Sequence, residues 1–362
     1  MNTSKQILEP SSVVMLLCVL VMAVSCDSGF TPGPLPPNPP PLNPGRVSWY
    51  VSDAPNSDRP SATAEWSGGT IKAALRNIKS NLGKVTGGRK AVIVINGAVT
   101  AASEGASGAT MVTISGSYPP LAFRGDGINK GVIDGGGSMR IFLIKSRSSG
   151  IPNELTLADN LILQNGRAVS TISVDTVGGA VCVQGGTFNM TGGAIKNSVS
   201  TSGGAIAAQN WGMDNVPYNL VNLSGGEITG CGNDKPVVNL DNEGAAVYII
   251  DGKLTISGTV NIHDNGRDGK TGKGGAIYLT RGTIGTELTM SGGTIRNNAA
   301  GEGGGVYVGI DCAFSISNGT ITGNTAARQG GGVYLYKSPY GSASYTNTGG
   351  TVSGNTPNDV NP

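Results

Sequence analysis

GGAIYLTRGTIGTELTMSGGTIRNN, residues 274–298, decides the reading of the whole chain. It opens on a glycine pair and runs into Ile277-Tyr278-Leu279, where side chains alternate with the period of two that marks a strand. Ile277 and Leu279 share one face and Tyr278 takes the other. Further on, Leu288 and Met290 point one way while Thr289 and Ser291 point the opposite way, and the segment closes on Ile295-Arg296-Asn297-Asn298.

The pattern occurs six times, beginning at 178, 203, 244, 274, 303 and 330 with GGAVC, GGAIA, GAAVY, GGAIY, GGGVY and GGGVY. The intervals are 25, 41, 30, 29 and 27 residues. Each copy is followed by a second half-motif, starting at Phe188, Val221, Leu254, Leu288, Phe314 and Tyr345. Self-similarity at this period means stacked units that bury a continuous core. The equivalents of Ile277 are Val181, Ile206, Val247, Val306 and Val333; those of Leu279 are Val183, Ala208, Ile249, Val308 and Leu335. Such aliphatic columns predict an all-β fold, a single-stranded parallel β-helix with clear repeats over 178–355. Eight to ten coils at about 4.8 Å each predict a rod near 45 Å long.

Composition agrees. Of 362 residues 59 are glycine, which argues against long helices, and they lack the every-third-residue period of collagen. A net charge of +2 with scattered basic residues gives no footprint for nucleic acid. Asn265, Asn298, Asn324 and Asn355 each follow the last aliphatic residue of their unit by three positions, and Asn165 has the same relation to Ile162. Asparagine tolerates left-handed backbone and bonds main chain at turns, so these five are expected to form a structural ladder.

ITGNTAARQGGGVYL (321–335) and IRNNAAGEGGGVYV (295–308) resemble the repeats of chlamydial polymorphic outer-membrane proteins and of related parallel β-helix lipoproteins of spirochaetes. That resemblance implies a right-handed coil of the pectate-lyase-like type. It covers about half the chain. The polymorphic proteins carry a C-terminal autotransporter barrel, whereas this sequence closes at Pro362 soon after its last repeat, so a lipid anchor is expected in place of the barrel.

Ahead of the repeats, Trp49-Tyr50-Val51-Ser52-Asp53 and Thr70-Ile71-Lys72-Ala73-Ala74-Leu75 resemble the opening of pectate-lyase-like β-helices, where a short helix covers the first coil. Ile71, Ala74, Leu75, Ile78 and Leu82 fall on one helical face, with Gly83 as the stop. Residues 46–90 are therefore expected to hold an opening strand and a cap helix, and 91–362 the β-helix. AVIVING (91–97), MVTISG (111–116), GVIDGGG (131–137), RIFLIKS (140–146) and ELTLADNLILQNG (154–166) all look strand-like.

The first residues speak of export. Val13 to Val24 form an apolar run of twelve, too short to span a bilayer, ending in Ala23-Val24-Ser25-Cys26. This tetrapeptide resembles the lipobox of bacterial lipoproteins, which implies a signal peptide over 1–25, a lipidated Cys26 and membrane attachment. Eight prolines between Pro32 and Pro44 make residues 26–45 an extended spacer. The expected address is the cell envelope, lipid-anchored at the outer membrane and facing the surface. Cys182, Cys231 and Cys312 are odd in number and lack metal-ligand spacing, so they are expected to be small packing residues.

Functional candidates fall in three places. Tyr248, Tyr278, Tyr307 and Tyr334 occupy one repeat position and should point away from the core, either stacking on a glycan or protein partner or shielding the sheet by stacking on one another. The long interval after residue 203 carries Trp211 and Tyr218 in a candidate binding loop. The densest ionisable stretch is Asp241, Glu243, Asp251, His263, Asp264, Arg267 and Asp268, where catalysis would be sought if the protein were an enzyme. No lyase, hydrolase, cofactor or metal motif is present in the sequence. The expectation is an adhesin-like or display protein making multivalent contacts, with a carbohydrate-active enzyme of the pectate-lyase-like type and a purely structural envelope protein as the alternatives.

Overall fold

The computed structural model describes residues 46–52, 66–87, 89–127, 130–147, 150–168, 176–210, 218–233, 243–266, 272–283 and 285–361. They form a right-handed parallel β-helix. Cys26, the apolar run, the proline-rich segment, Trp211, Asp241, Arg267 and Asp268 lie outside the described residues.

One coil shows the plan. Ile277–Thr280 lies in an eight-stranded sheet, Glu287–Arg296 in a broad sheet of eighteen strands, and Ala299–Glu302 in a narrow third face, before Val306–Val308 begins the next coil. Pairing between repeat units is parallel and in register: Val247↔Ile277↔Val306↔Val333 and Ile249↔Leu279↔Val308↔Leu335. These are the columns read from the sequence. Their first members are Val112 and Ile114, Phe142 and Ile144, so the stack has eight levels and is about 34 Å long, shorter than expected. On the broad sheet Leu155, Phe188, Val221, Leu254, Leu288 and Phe314 make a third inward column, and Leu163, Ile195, Ile228, Ile262, Ile295 and Ile321 a fourth. All of them join one buried core running from Val47 to Val333.

The glycine pair has a separate reason for each member. Gly274 adopts φ +71°, a left-handed turn that side chains resist. The Cβ of a larger residue at Gly275 would lie 2.2 Å from the carbonyl oxygen of Gly304 in the next coil. One glycine turns the chain and the other lets successive coils touch.

The narrow turn after the broad sheet holds two adjacent columns. Asn265, Asn298, Asn324 and Asn355 form the expected ladder: Asn298 Nδ2 donates to Asn324 Oδ1 at 2.9 Å and to the Ile262 carbonyl at 3.0 Å, while Asn298 Oδ1 accepts from Asn265 Nδ2 at 2.9 Å. Asn165 does not belong to it. Gln164 pairs with Lys196, which puts Asn165 level with Asn197, one residue before the ladder position held there by Ser198. Asn165 (φ +53°), Asn197 (+51°), Asp264 (+55°) and Asn297 (+54°) form the left-handed column instead. The expectation counted from Ile162, which points outward; the inward residue is Leu163, and the frame shifts by one. Cys231 occupies a ladder position as a small buried residue, its thiol pushed up to about 12 by burial. Cys182 and Cys312 are likewise buried.

The first coil is closed by Arg46–Ser52, antiparallel to Lys90–Asn96, with Trp66–Gly68 on its other side. Helix α1 (Ile71–Ser80) covers this end, burying Ile71, Ala74, Leu75 and Ile78. Thr70 caps it by accepting from the Ala73 amide at 3.1 Å, and the buried Glu104 carboxylate accepts from the amides of Ile71 and Lys72. Leu82 departs from expectation: the helix ends two residues earlier, and Leu82 stands 38% exposed in a 3-10 turn. No helix among the described residues is long and apolar enough to cross a membrane.

Candidate functional site

The tyrosine column is not an open surface. Tyr248, Tyr278, Tyr307 and Tyr334 do point away from the core and stack on one another, with ring centroids 5.8, 4.9 and 4.8 Å apart. Yet Tyr248, Tyr278 and Tyr307 are 4%, 7% and 3% exposed. The segment leading into each coil packs against the base of these side chains: a Cβ at Gly244 would lie 3.2 Å from that of Tyr278, and one at Gly303 2.9 Å from that of Tyr307. Lys273 Nζ sits 5.8 Å from the Tyr307 ring centre. Burial, the largest cause, and the nearby Glu243 carboxylate raise the phenol pKa of Tyr278 well above its ordinary 10.0; Tyr248 and Tyr307 are raised for the same first reason. The faces of these three rings are buried, stacked on one another and on Tyr334. Only Tyr334 is partly open. Tyr218 is half-buried and structural as well, its hydroxyl donating to the Gly285 carbonyl at 3.0 Å.

The ionisable stretch separates into unrelated turns. Asp251, buried at a left-handed turn, accepts from the Thr283 amide at 2.9 Å and the Gly285 amide at 3.3 Å, pinning the loop of the next coil. Glu243 lies on the edge beside the tyrosines, in a bridge with Ser202 and Lys273. His263 and Asp264 lie at the far end of the broad-sheet strand Asn261–His263. Among the described residues no three His, Cys, Asp or Glu side chains gather as a metal site would require.

His263 instead meets residues that the sequence reading passed over. Its Nδ1 is 2.6 Å from Asp264 Oδ2 and its Nε2 is 3.5 Å from Glu227 Oε2, while Glu227 is also ion-paired with Lys196. Strand register brings them together. Glu227 pairs with Ala194 and Asn261, and Thr229, two residues on, pairs with Lys196 and His263. Positions 34 residues apart in the chain thus become neighbours about 4.8 Å apart. Lys196's hydrogen bond is the main cause that holds the Glu227 carboxyl below its usual range, with its charge and His263 acting in the same direction against partial burial. The His263 hydrogen bond does the same for Asp264.

Alongside runs an open groove of about 620 Å³ crossing five coils. Lys130, Asp159, Asn160, Lys196, Glu227, Thr259 and Asn261 supply its polar lining; Leu161, Ile162 and Ala194 supply apolar floor. Gly193 and Gly226, at φ +71° and +82°, keep the middle of the floor free of side chains. Asn261 Oδ1 is buried without a hydrogen-bond partner among the described residues, an acceptor that a ligand hydroxyl would satisfy. The groove therefore offers ammonium and amide donors, carboxylate and amide acceptors, and a narrow apolar strip. With its pKa lowered and its charge paired to Lys196, Glu227 is suited to accept hydrogen bonds and unsuited to donate a proton as a general acid.

Comparison with known protein families, with curated proteins and with solved structures finds no match for this chain.

Proposed function

We propose that this chain is an exported, lipid-anchored envelope protein whose β-helix holds out a glycan-binding groove, acting as an adhesin-like or display protein. The observation that carries the binding half is the groove over Lys196, Glu227 and Asn261, with its unsatisfied Oδ1. Alternating polar edges and an apolar strip suit a polyhydroxylated chain, whose hydroxyls bond while its C–H faces pack. Five coils give the groove a length of about 19 Å, enough to take a polymer segment lengthwise. Cys26, the apolar run and the proline-rich spacer support the anchored half.

Affinity electrophoresis tests the groove. Residues 46–362 are run through gels containing different polysaccharides, with and without calcium, and the gels are stained for intact polymer. Retardation over unbroken polymer is expected, with Asn261→Ala weakening it about tenfold by removing the acceptor. Free migration in every gel would remove the glycan reading, and a cleared track would replace binding with turnover. Labelled fatty acid entering the full chain but not its Cys26→Ala variant would test the anchor.

A further inference from the structure

Asn-Gly is the dipeptide in which an asparagine side chain is most readily attacked by its own backbone, because glycine sets no Cβ beside the attacking nitrogen. The chain has four of them, at Asn96-Gly97, Asn165-Gly166, Asn265-Gly266 and Asn318-Gly319. The fold restrains three. Asn265 is 1% exposed; its Nδ2 donates to the Ile228 carbonyl at 3.1 Å and its Oδ1 accepts from the Cys231 amide at 2.9 Å, while the Gly266 amide donates to the Cys231 carbonyl at 3.1 Å. Asn165 donates to Asp134 Oδ2 at 3.0 Å, and the Gly166 amide donates to Ser198 Oγ at 3.2 Å. Asn96 stands at the surface, but its Nδ2 donates to Asp126 Oδ2, which draws the side chain toward the next coil.

Asn318 is set up differently. It is exposed, and its Oδ1 accepts from the Gly319 amide at 2.8 Å. With a C=O bond of about 1.2 Å, Asn318 Cγ lies within about 4 Å of the nitrogen that attacks it. The side chain is thus folded over its own next amide, in the arrangement that ring closure needs. The backbone is irregular here as well. Ile316 pairs with Met290, Asn318 with Ser291 and Thr320 with Thr294, so Ala313–Thr322 bulges where the broad sheet bends, and Gly319 takes φ +105°.

We propose that Asn318 is a self-modification site, at which the folded chain converts its own asparagine to a mixture of aspartate and isoaspartate without an enzyme. The Gly319 nitrogen gives up its proton to solvent base and bonds to Asn318 Cγ. The Cγ–Nδ2 bond breaks, and Nδ2 takes up a proton from water and leaves as ammonia. Water then opens the five-membered imide, giving aspartate by attack at Cγ and isoaspartate by attack at the backbone carbonyl; nothing is oxidised or reduced. The product carries a new carboxylate beside the uncharged Ser291 and Ser317. Isoaspartate also lengthens the backbone by one atom, at the bulge, where the ladder is already interrupted.

Peptide mapping tests the proposal. The purified full chain is kept at mildly alkaline pH for days, one portion folded and one unfolded in guanidinium chloride. Fragment masses then report the exchange of NH2 for OH at each Asn-Gly pair, and isoaspartyl methyltransferase labelling reports the isomer. Each site is compared with its own unfolded rate, which removes the influence of neighbouring residues. Folded Asn318 should keep its unfolded rate within about threefold, while Asn96, Asn165 and Asn265 slow by about tenfold or more. Asn318→Gln, a change at an exposed side chain, should leave the unfolding midpoint in place and remove most of the isoaspartate that the folded chain forms, because the longer side chain closes a six-membered ring far more slowly. If folding slowed Asn318 as strongly as the other three, the proposal would be overturned. Equal isoaspartate in the folded Asn318→Gln chain and the unaltered one would overturn it too.

Discussion

The tyrosine column and the Lys196–Glu227–His263 row are both outward-facing columns of one solenoid, one rung per coil, and they meet opposite surroundings. The tyrosines are buried against one another and against Leu143, Val177, Cys182 and Ala207, so their rings act as a second, smaller core outside the coil. The broad-sheet row lies beside an open groove, and its charged groups keep solvent and one another as partners. Period-two alternation separates the inside of a coil from its outside. It is silent on whether another segment returns to cover the outside.

The difference can be broken by experiment, beginning with the largest effect. Tyr278→Ser should cost about 3–5 kcal/mol in urea unfolding, the cost of truncating a buried aromatic. A loss below about 1 kcal/mol would mean that the roof is loose and the column accessible. Asn298→Ala comes next. It strips a partner from the Asn265 amide and the Ile262 carbonyl, both buried, and at roughly 1–3 kcal/mol for each orphaned group about 3 kcal/mol should be lost. A similar change at Asn165, whose side chain bonds Asp134 at 3.0 Å in the neighbouring column, should cost less.

Titration separates the two columns by sign. The tyrosine pKa values are raised in the folded state, so their contribution is full below the ordinary value of 10.0 and is lost as pH climbs above it. Glu227 and Asp264 are lowered from 4.5 and 3.8, so theirs is present above those values and is lost as pH falls through the folded ones. Unfolding midpoints across pH should fall at both extremes. Tyr278→Phe should blunt the alkaline fall and leave the acid one. The smallest stability effect belongs to Glu227→Gln, below about 1 kcal/mol because its ion pair is partly open to solvent. The same change should still weaken polysaccharide retardation, and a large fall in stability with retardation intact would make the row structural.

Much of this was legible in the chain. Aliphatic residues recurring at Ile277 and Leu279 predict the stack because a column of like side chains packs best on itself, and the glycine pair marks the turn that brings coils together. The ladder was legible from Asn265 onward, where an inward isoleucine or valine sets the frame. It misled at Asn165, since asparagine suits both the left-handed position and the ladder position beside it, and only register distinguishes them. The groove was hidden for another reason. Lys196, Glu227, Asn261 and Lys130 sit in different repeats and share no motif, and His263 looked like a member of the acidic stretch 241–268 when it also meets Glu227, a full coil away in sequence.

By itself the sequence determined the coil, its strands and the residues that fill it, because those depend on short periods and on contacts between equivalent positions. Tertiary structure alone decided which outward columns are roofed and which polar side chains share a groove. These depend on where non-equivalent segments come to rest, and burial, unlike periodicity, is a property of the whole assembled surface.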